Sequence, residues 1–326
     1  MKVAVLGAGA WGTALAKLLV EGGHGVTLWA RHPERVATIA TGGINEVYLP
    51  GIRLPGLGEV ESQIDRAIAG AECVVVAVPS KAFREVTSAL AGYTGILVSV
   101  TKGIEYDTGL TMCGVLGQTA PRAARVALSG PTLAMEVARG IPTAIVAAGQ
   151  DPDAAQTVQQ LFHRPYFRVY RSADPVGVEF GGALKNVVAI AAGAGDGLGL
   201  GDNSKAALIT RGIVEIRRLG VACGAQPETF AGLSGLGDLT VTCYSRLSRN
   251  RMFGERLGRG EKPADIVRES VAVAEGYPTA RSAYRLARKL SVITPIIDEV
   301  HAVLYEGKNV AKALQDLTSR ESKAED

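Results

Sequence analysis

The first residues, Met1-Lys-Val-Ala-Val-Leu-Gly7-Ala-Gly9-Ala-Trp11-Gly12-Thr-Ala-Leu15, carry an apolar β-type run into a helical pattern through three spaced glycines. Few local patterns restrict a chain more. A G-x-G-x-x-G between strand and helix belongs to a βαβ unit, and such units build parallel sheets covered by helices on both faces. Gly7 permits the tight turn, Gly9 lets a pyrophosphate approach the backbone, and Gly12 lets the helix pack close to the strand. The free N–H groups at that helix's start then face the phosphates. Glycine-rich turns also join elements that bind nothing, but the strand before and the helix after favour dinucleotide binding.

The rest of the first half repeats the theme. Apolar, β-branched runs at 3–6, 26–29, 73–78, 96–100, 126–128 and 144–147 alternate with helical stretches such as 13–21 and 81–90. Several runs are continuous rather than alternating, as strands buried on both faces should be. This predicts a doubly wound, mainly parallel sheet. The run 96–100 is followed by Thr101-Lys102-Gly103, and 126–128 by Ser129-Gly130-Pro131-Thr132. Ligands of open α/β sheets bind beyond the carboxyl ends of the strands, so these turns mark the binding crevice.

From about Glu179 the pattern becomes helical, with segments at 179–192, 205–219, 263–269, 277–289 and 296–305, and Asp174-Pro175 reads as a helix start. The expected fold is therefore an α/β Rossmann domain over residues 1–178 and an all-α domain over 179–326. At 326 residues the chain can bury two such cores.

Charge excludes some functions. A formal net charge of +3 without a basic stripe gives no reason to expect nucleic acid. Four scattered cysteines (Cys73, Cys113, Cys223 and Cys243) lack metal-ligand spacing, so a reduced compartment and no metal are expected. No apolar run approaches the length of a membrane span, 187–195 being the nearest, and with a strand at the first residues no signal peptide is expected. The expectation is a cytoplasmic protein with a small-molecule substrate.

The second strand ends Leu28-Trp29-Ala30-Arg31-His32, with no carboxylate before Glu34 to grip ribose hydroxyls. Arg31 either stacks on adenine and pairs with a 2′-phosphate or is a solvated loop residue. The first alternative predicts acceptance of NADP(H), alone or beside NAD(H).

Two polar clusters interrupt the helical half. Lys185 and Asn186 lie within an otherwise small and apolar helix, and Lys185 shares a face with Gly181, Gly182, Val188, Ala189 and Ala192. Burial there would lower its pKa toward values useful for acid–base work, whereas an ordinary surface helix would let it snorkel. The run from Gly235 to Arg251 gathers Asp238, Ser248, Arg249 and Asn250 among several hydroxyls. A phosphate wants such guanidinium, hydroxyl and amide donors, although a helix start at Asp238 with a solvated basic face after it is the plainer reading.

In this order and spacing the segments resemble bacterial-type NAD(P)-dependent glycerol-3-phosphate dehydrogenases. Besides the glycine loop, the resemblance rests on Tyr48-Leu-Pro-Gly51, Thr101-Lys-Gly-Ile104, Ser129-Gly-Pro-Thr-Leu-Ala-Met-Glu136 and Gly182-Ala-Leu-Lys-Asn186. It continues through Ala206–Gly212, Gly232–Thr240, Ser245–Asn250 and Glu275-Gly276. It implies reversible reduction of dihydroxyacetone phosphate to sn-glycerol 3-phosphate, a step toward phospholipid, and a helical domain similar to that of 6-phosphogluconate dehydrogenase. It places the proton-transferring lysine at Lys185, with Lys102 and Asp238 beside it. It also implies substrate contacts at Lys102, Gly130, Thr132, Asp238, Ser248, Arg249 and Asn250. Cofactor positions fall on Gly7, Gly9, Ala10, Trp11, Gly12, Arg31, Lys102, Ala134, Arg249, Val273 and Glu275, with His32 and Tyr48 as neighbours. A homodimer is a further expectation of the resemblance. Thr132 stands where serine is usual in the family, and Leu133 where phenylalanine is. The rival enzyme reading is a β-hydroxyacid or ketopantoate-type reductase, which would need a carboxylate anchor in place of the phosphate anchor. A non-catalytic dinucleotide sensor would be expected to lack Lys185 or the Arg249-Asn250 pair.

Overall fold

A computed structural model describes residues 1–270, 274–321 and 324. Eight strands, β1 (Lys2–Leu6), β2 (Gly25–Trp29), β3 (Glu59–Glu61), β4 (Cys73–Val76), β5 (Ile96–Ser99), β6 (Ala124–Ser129), β7 (Thr143–Gly149) and β8 (Phe167–Ser172), form one sheet. Their order is β3-β2-β1-β4-β5-β6-β7-β8. The direction of winding reverses between β1 and β4, and the loops that follow those two strands open the crevice. Pairing is parallel throughout except between β6 and β7. The mainly parallel sheet is as expected.

Two strands escape the periodicity reading. β3 is a three-residue edge strand, Glu-Val-Glu, too short and polar to stand out. β8 is the opposite edge, where buried Phe167 and Val169 alternate with exposed Arg168 and Tyr170. Half-solvated edges give alternation in place of a continuous apolar run.

Helices α1 (Ala10–Glu21), α2 (Pro33–Gly42), α3 (Ile64–Ile68), α4 (Phe83–Ser88), α5 (Met112–Thr119), α6 (Ala134–Ala138) and α7 (Pro152–Phe162) accompany the sheet. Among the described residues two large apolar cores lie against it. One holds Val3, Val5, Leu15, Leu19 and Phe162, and the other Ala4, Leu6, Val76, Phe83 and Leu116. Alternate residues of β1 feed opposite cores, which is why its run is apolar at every position.

The remaining helices are α8 (Pro175–Gly197), α9 (Asp202–Ala222), α10 (Asp238–Tyr244), α11 (Arg249–Gly258), α12 (Pro263–Glu269), α13 (Gly276–Lys289), α14 (Pro295–Tyr305) and α15 (Val310–Thr318). They cluster around α8. Asp174 starts α8 by accepting from the Gly177 amide at 2.8 Å, with Pro175 in the first turn. The same carboxylate accepts from the Gln226 amide and the Thr229 hydroxyl, fixing the chain beyond α9 to the helix start. Among the described residues α8 is the helix long and apolar enough to cross a membrane, contrary to the expectation that no stretch would be; 89% of that window is buried within the protein.

Helices α8 and α11 touch backbone to backbone. A Cβ built on Gly193 would lie 1.9 Å from the Arg251 carbonyl oxygen, and one on Gly254 would lie 2.0 Å from that of Ile190. At Gly197 and Gly258, one turn further along each helix, a Cβ would lie 2.3 Å from a carbonyl oxygen of the other helix. Four glycines thus remove the side-chain layer that would otherwise separate the two axes.

Candidate active site

The glycine loop is built for an anion. Gly7 has φ +123°, and a Cβ there would lie 2.5 Å from the Ala77 carbonyl oxygen. A Cβ at Gly12 would lie 1.9 Å from the Gly7 carbonyl oxygen. Both glycines are demanded by packing. Gly9 differs: a Cβ there would meet nothing within 4 Å, so its bareness leaves space outside the protein wall. The first turn of α1 has neither a capping side chain nor an acidic residue, and the Trp11 ring N–H has no hydrogen-bond partner among the described residues. An open, positively polarised helix end beside a bare backbone fits a dinucleotide's phosphates.

Asn45 supports this loop from behind. Its buried amide donates to the Ala8 carbonyl and to the Thr13 hydroxyl, both at 2.8 Å. Nothing in the sequence around Asn45 marked it, because the contact joins segments far apart in the chain. Ala134 begins α6, which packs on α1 so that Ala134 and Trp11 share one apolar cluster. Tyr48 lies in the loop ahead of Leu49 in that cluster, its ring under the Arg35 guanidinium at 4.7 Å.

Beyond β2 an open groove is lined by Trp29, Arg31, Ser62, Ile64, Asp65, Glu85, Val86 and Ala89. Arg31 is half-exposed and pairs with Glu85 at 3.3 Å. His32 lies just before α2, solvent-exposed, 3.6 Å from Glu34. Arg31 therefore lines this groove held by one exposed carboxylate, a weak partner in water.

The chemical centre lies at the carboxyl edge of the sheet. Asp238 opens α10 and is fully buried. Its Oδ1 accepts from the Lys185 ammonium at 2.5 Å and its Oδ2 from the Lys102 ammonium at 2.6 Å. Lys185 also donates to the Thr242 hydroxyl at 2.6 Å, and that hydroxyl donates to the Asp238 carbonyl at 2.6 Å. Lys102, from the turn after β5, donates to the Gly130 carbonyl at 2.9 Å and reaches the Thr132 hydroxyl at 3.4 Å. The segments 101–103, 129–132, 182–186 and 238–242 meet here.

Lys185 does not snorkel; it is 6% exposed. Its small neighbours are needed because other chains press against them. A Cβ on Gly181 would lie 2.5 Å from the Ser234 carbonyl oxygen, and one on Gly182 would lie 2.5 Å from the Ser129 hydroxyl. Burial pushes the ammonium pKa down to about 8; Asp238 pulls it up, and Lys102 pushes it down again. Two ammoniums on one carboxylate leave the trio with a net positive charge. Such a group suits a proton donor to a developing alkoxide.

Next to it runs a chain of amides. Asn250 donates to the Asn186 side-chain oxygen at 2.8 Å, and accepts from the Gly276 amide at 2.8 Å at the start of α13. Ser248 caps α11, accepting from the Arg251 amide at 3.2 Å. Asn250 and Ser248 therefore already hold helix ends, roles their sequence pattern did not reveal. Arg249 stands in the first turn of α11, exposed by surface area, yet surrounding protein depresses its guanidinium pKa while Glu275, within electrostatic range, raises it. The Glu275 carboxylate accepts from the Ser80 amide at 3.2 Å and hydroxyl at 2.7 Å, across from the turn after β4. Val273 lies outside the described residues. Ser80 and Thr242 are further members of the site that the sequence did not single out; a lone hydroxyl gives no signal until a partner is seen.

Both halves of this arrangement match known proteins. The model described as NAD-dependent glycerol-3-phosphate dehydrogenase N-terminus matches residues 2–155, and the one described as the C-terminus of the same family matches residues 174–315. The chain belongs to the NAD-dependent glycerol-3-phosphate dehydrogenase family. A relative in this family, glycerol-3-phosphate dehydrogenase [NAD(P)+] of Geobacter metallireducens, is 50% identical over 332 residues, covering 99% of this chain and 98% of the other. The crystal structure of glycerol-3-phosphate dehydrogenase from Coxiella burnetii superposes with a TM-score of 0.95 at 35% identity, covering 98% and 99% of the two chains. The Saccharomyces cerevisiae glycerol-3-phosphate dehydrogenase structure follows with a TM-score of 0.84 at 27% identity, over 98% and 99%. Family membership makes the chain an NAD(P)-dependent oxidoreductase and accounts for the glycine loop.

Proposed function

We propose that the chain catalyses the reversible NAD(P)H-dependent reduction of dihydroxyacetone phosphate to sn-glycerol 3-phosphate. The observation that carries the mechanism is the buried Lys102–Asp238–Lys185 trio at the same sheet edge as the glycine loop. Gly7 to Gly12 and the first amides of α1 would hold the cofactor's pyrophosphate, and Arg31 its adenosine end. Ala10, Trp11, Tyr48, Ala134 and Glu275 would line its length. When bound, the cofactor supplies a hydride to the ketone carbon.

The protein's residues do the rest. Lys185 in its ammonium form donates a hydrogen bond to the ketone oxygen, then its proton as negative charge develops there. The C=O bond becomes C–OH, and Lys185 is left as a neutral amine beside Lys102, ready for reprotonation. In the oxidative direction the neutral amine removes the same proton. Asp238 holds both lysines and keeps Lys185 charged despite burial. Lys102 with Gly130 and Thr132 orients the substrate's hydroxyl end. Arg249, at the start of α11, anchors the phosphate; Ser248 and Asn250 steady it and the start of α13. A remote phosphate anchor turns binding energy into orientation of the carbonyl.

Residues 1–178 would then form the cofactor domain and 179–326 the substrate domain. The proposal includes a cytoplasmic homodimer feeding glycerophospholipid synthesis; light scattering of the purified chain checks the dimer. Oxidation of NADPH and of NADH followed at 340 nm, with dihydroxyacetone phosphate against 2-oxoacids, tests the reading. Turnover of the phosphorylated ketone is expected, and turnover of 2-oxoacids alone would replace the assignment. Lys185→Ala should bind NADPH and lose nearly all turnover.

A further inference from the structure

A buried carboxyl group outside the trio joins the two halves of the molecule. Glu179 lies on α8, about 9 Å of helix axis before Lys185. It is 7% exposed, and no step of the proposed reaction uses it. Its Oε1 accepts from the Cys113 amide at 2.9 Å in the first turn of α5. The Met112 amide, the Thr111 hydroxyl and the Cys113 thiol also face the carboxyl group. Oε2 is buried without a hydrogen-bond partner. α5 has a cap of its own in Thr111, which reaches the Gly114 amide at 3.3 Å and leaves the two preceding amides to others. Glu179 thus supplies, from the helical half, what the first turn of α5 needs.

The contact sits on a seam. Val178, adjacent to Glu179, packs with Ala127 of β6 and with Val146 and Ala148 of β7. Cys113 and Leu233 close the same small cluster. Leu233 begins the π-helical turn Leu233–Gly237 that leads into Asp238. On the other side, the loop that ends at α5 begins at Lys102, the second lysine of the trio. Both chains that leave this seam therefore arrive at Asp238: one through α8 and Lys185, the other through the 102–111 loop and Lys102.

We propose that Glu179 is a positioning residue that sets the register of α8 against the sheet edge, and so the placement of Lys185 over the cofactor's reacting face. The inference rests on the proposed ketone reduction for its kinetic readout, and on backbone protection for a readout independent of it. A carboxyl group buried at a seam is suited to this because sliding α8 by a fraction of a turn would strip it of its amide partner.

The test compares the full-length wild type with Glu179→Gln and Glu179→Ala. Dihydroxyacetone phosphate reduction is measured at saturating ketone over a range of NADPH concentrations, well below each melting temperature. Glu179→Ala is expected to lower kcat about tenfold, on the scale of a sub-ångström misplacement of a reacting group. KM for NADPH should stay within about twofold because the glycine loop is untouched. The primary isotope effect from 4-deuterated NADPH should rise as hydride transfer becomes limiting. Glu179→Gln, which keeps an acceptor oxygen, should recover most of kcat. Hydrogen exchange at Cys113 in the apoenzyme should accelerate in Glu179→Ala and much less in Glu179→Gln. Unchanged kcat and isotope effect in a folded Glu179→Ala enzyme would overturn the proposal, as would unchanged protection at Cys113. A wild type inactive on dihydroxyacetone phosphate would count against the substrate reading, and the exchange result would still decide whether Glu179 holds the seam.

Discussion

Replacing Lys185 with methionine should abolish turnover and stabilise the folded protein at neutral pH. The argument comes from proton affinity. An ordinary lysine has a pKa near 10.5, and burial brings Lys185 down to about 8 even though Asp238 attracts it. A fall of that size is worth about 3 kcal/mol between the charged and neutral forms. Below pH 8 the group is charged in both the folded and the unfolded chain, so the folded state bears the whole penalty. Between pH 8 and 10.5 the folded group is neutral while the unfolded one still holds its proton, and stability rises with pH. Above 10.5 the penalty vanishes. Methionine has about the same length and no charge, and Asp238 keeps Lys102 at 2.6 Å, so the substitution leaves a neutral pair. Hydrogen bonds lost to Asp238 and Thr242 offset part of this gain, which lowers the expected difference below the full penalty. Urea melts of wild type and Lys185→Met at pH 7 should differ by about 1–3 kcal/mol in favour of the variant, with Tm raised by roughly 2–6 °C. The gap should close by about pH 10.5. A variant that is less stable at pH 7, or a gap that does not move with pH, would refute the reasoning. Such an outcome would mean that the ammonium is not held at a cost, and that its proton is not primed for transfer.

Further outcomes are expected from the same geometry. Because the reduction needs the ammonium and the oxidation the amine, kcat for dihydroxyacetone phosphate reduction should fall as pH rises through about 8. Glycerol 3-phosphate oxidation should rise over the same interval; stopped-flow pH profiles in both directions check this. Gly12→Ala forces a methyl group to within 1.9 Å of the Gly7 carbonyl oxygen and should destabilise the fold by at least about 2 kcal/mol in denaturant melts. Gly9→Ala meets no protein atom, so its melting should be unchanged while cofactor affinity, read by fluorescence titration, falls about tenfold. Arg31→Asp removes a cation and adds an anion in the groove beyond β2; the ratio of kcat/KM for NADPH to that for NADH should drop by at least about tenfold.

Much of this molecule is legible in one dimension. The glycine loop is a local device whose residues are neighbours in sequence, so strand, turn and helix declare themselves together. The switch to helical periodicity after Asp174 is equally local, and α12 occupies 263–269 as its pattern predicts. What stays hidden is relational. That β7 runs antiparallel to β6 depends on how the connection through α6 crosses the edge, and a hydrophobic pattern carries no direction. Edge strands β3 and β8 are shaped by solvent on one side. Lys185 shows itself as an anomaly in an apolar helix, yet the sequence alone left snorkelling open until Asp238 was found against it. Asn45, Ser80 and Thr242 contribute through contacts with segments distant in the chain, and the residue type alone does not distinguish them from many others. Asn250 is the reverse case: its place in a dense polar run suggests ligand contact, whereas the structure occupies both ends of its amide with Asn186 and Gly276.

The glycine contacts between α8 and α11 have a bearing on the geometry of the site. α8 carries Lys185 and α11 begins with Arg249, so in the proposed roles the span from proton donor to phosphate anchor is set where two main chains touch. A spacing fixed by rotamers could stretch by turning a side chain. One fixed by carbonyl-to-α-carbon contact can lengthen only by moving a helix. The two helices therefore keep a fixed separation, and the start of α11 cannot shift relative to the lysine-bearing turns of α8 without moving a whole helix. Gly193, Gly197, Gly254 and Gly258 thus hold the frame of the site without a side chain to touch a ligand.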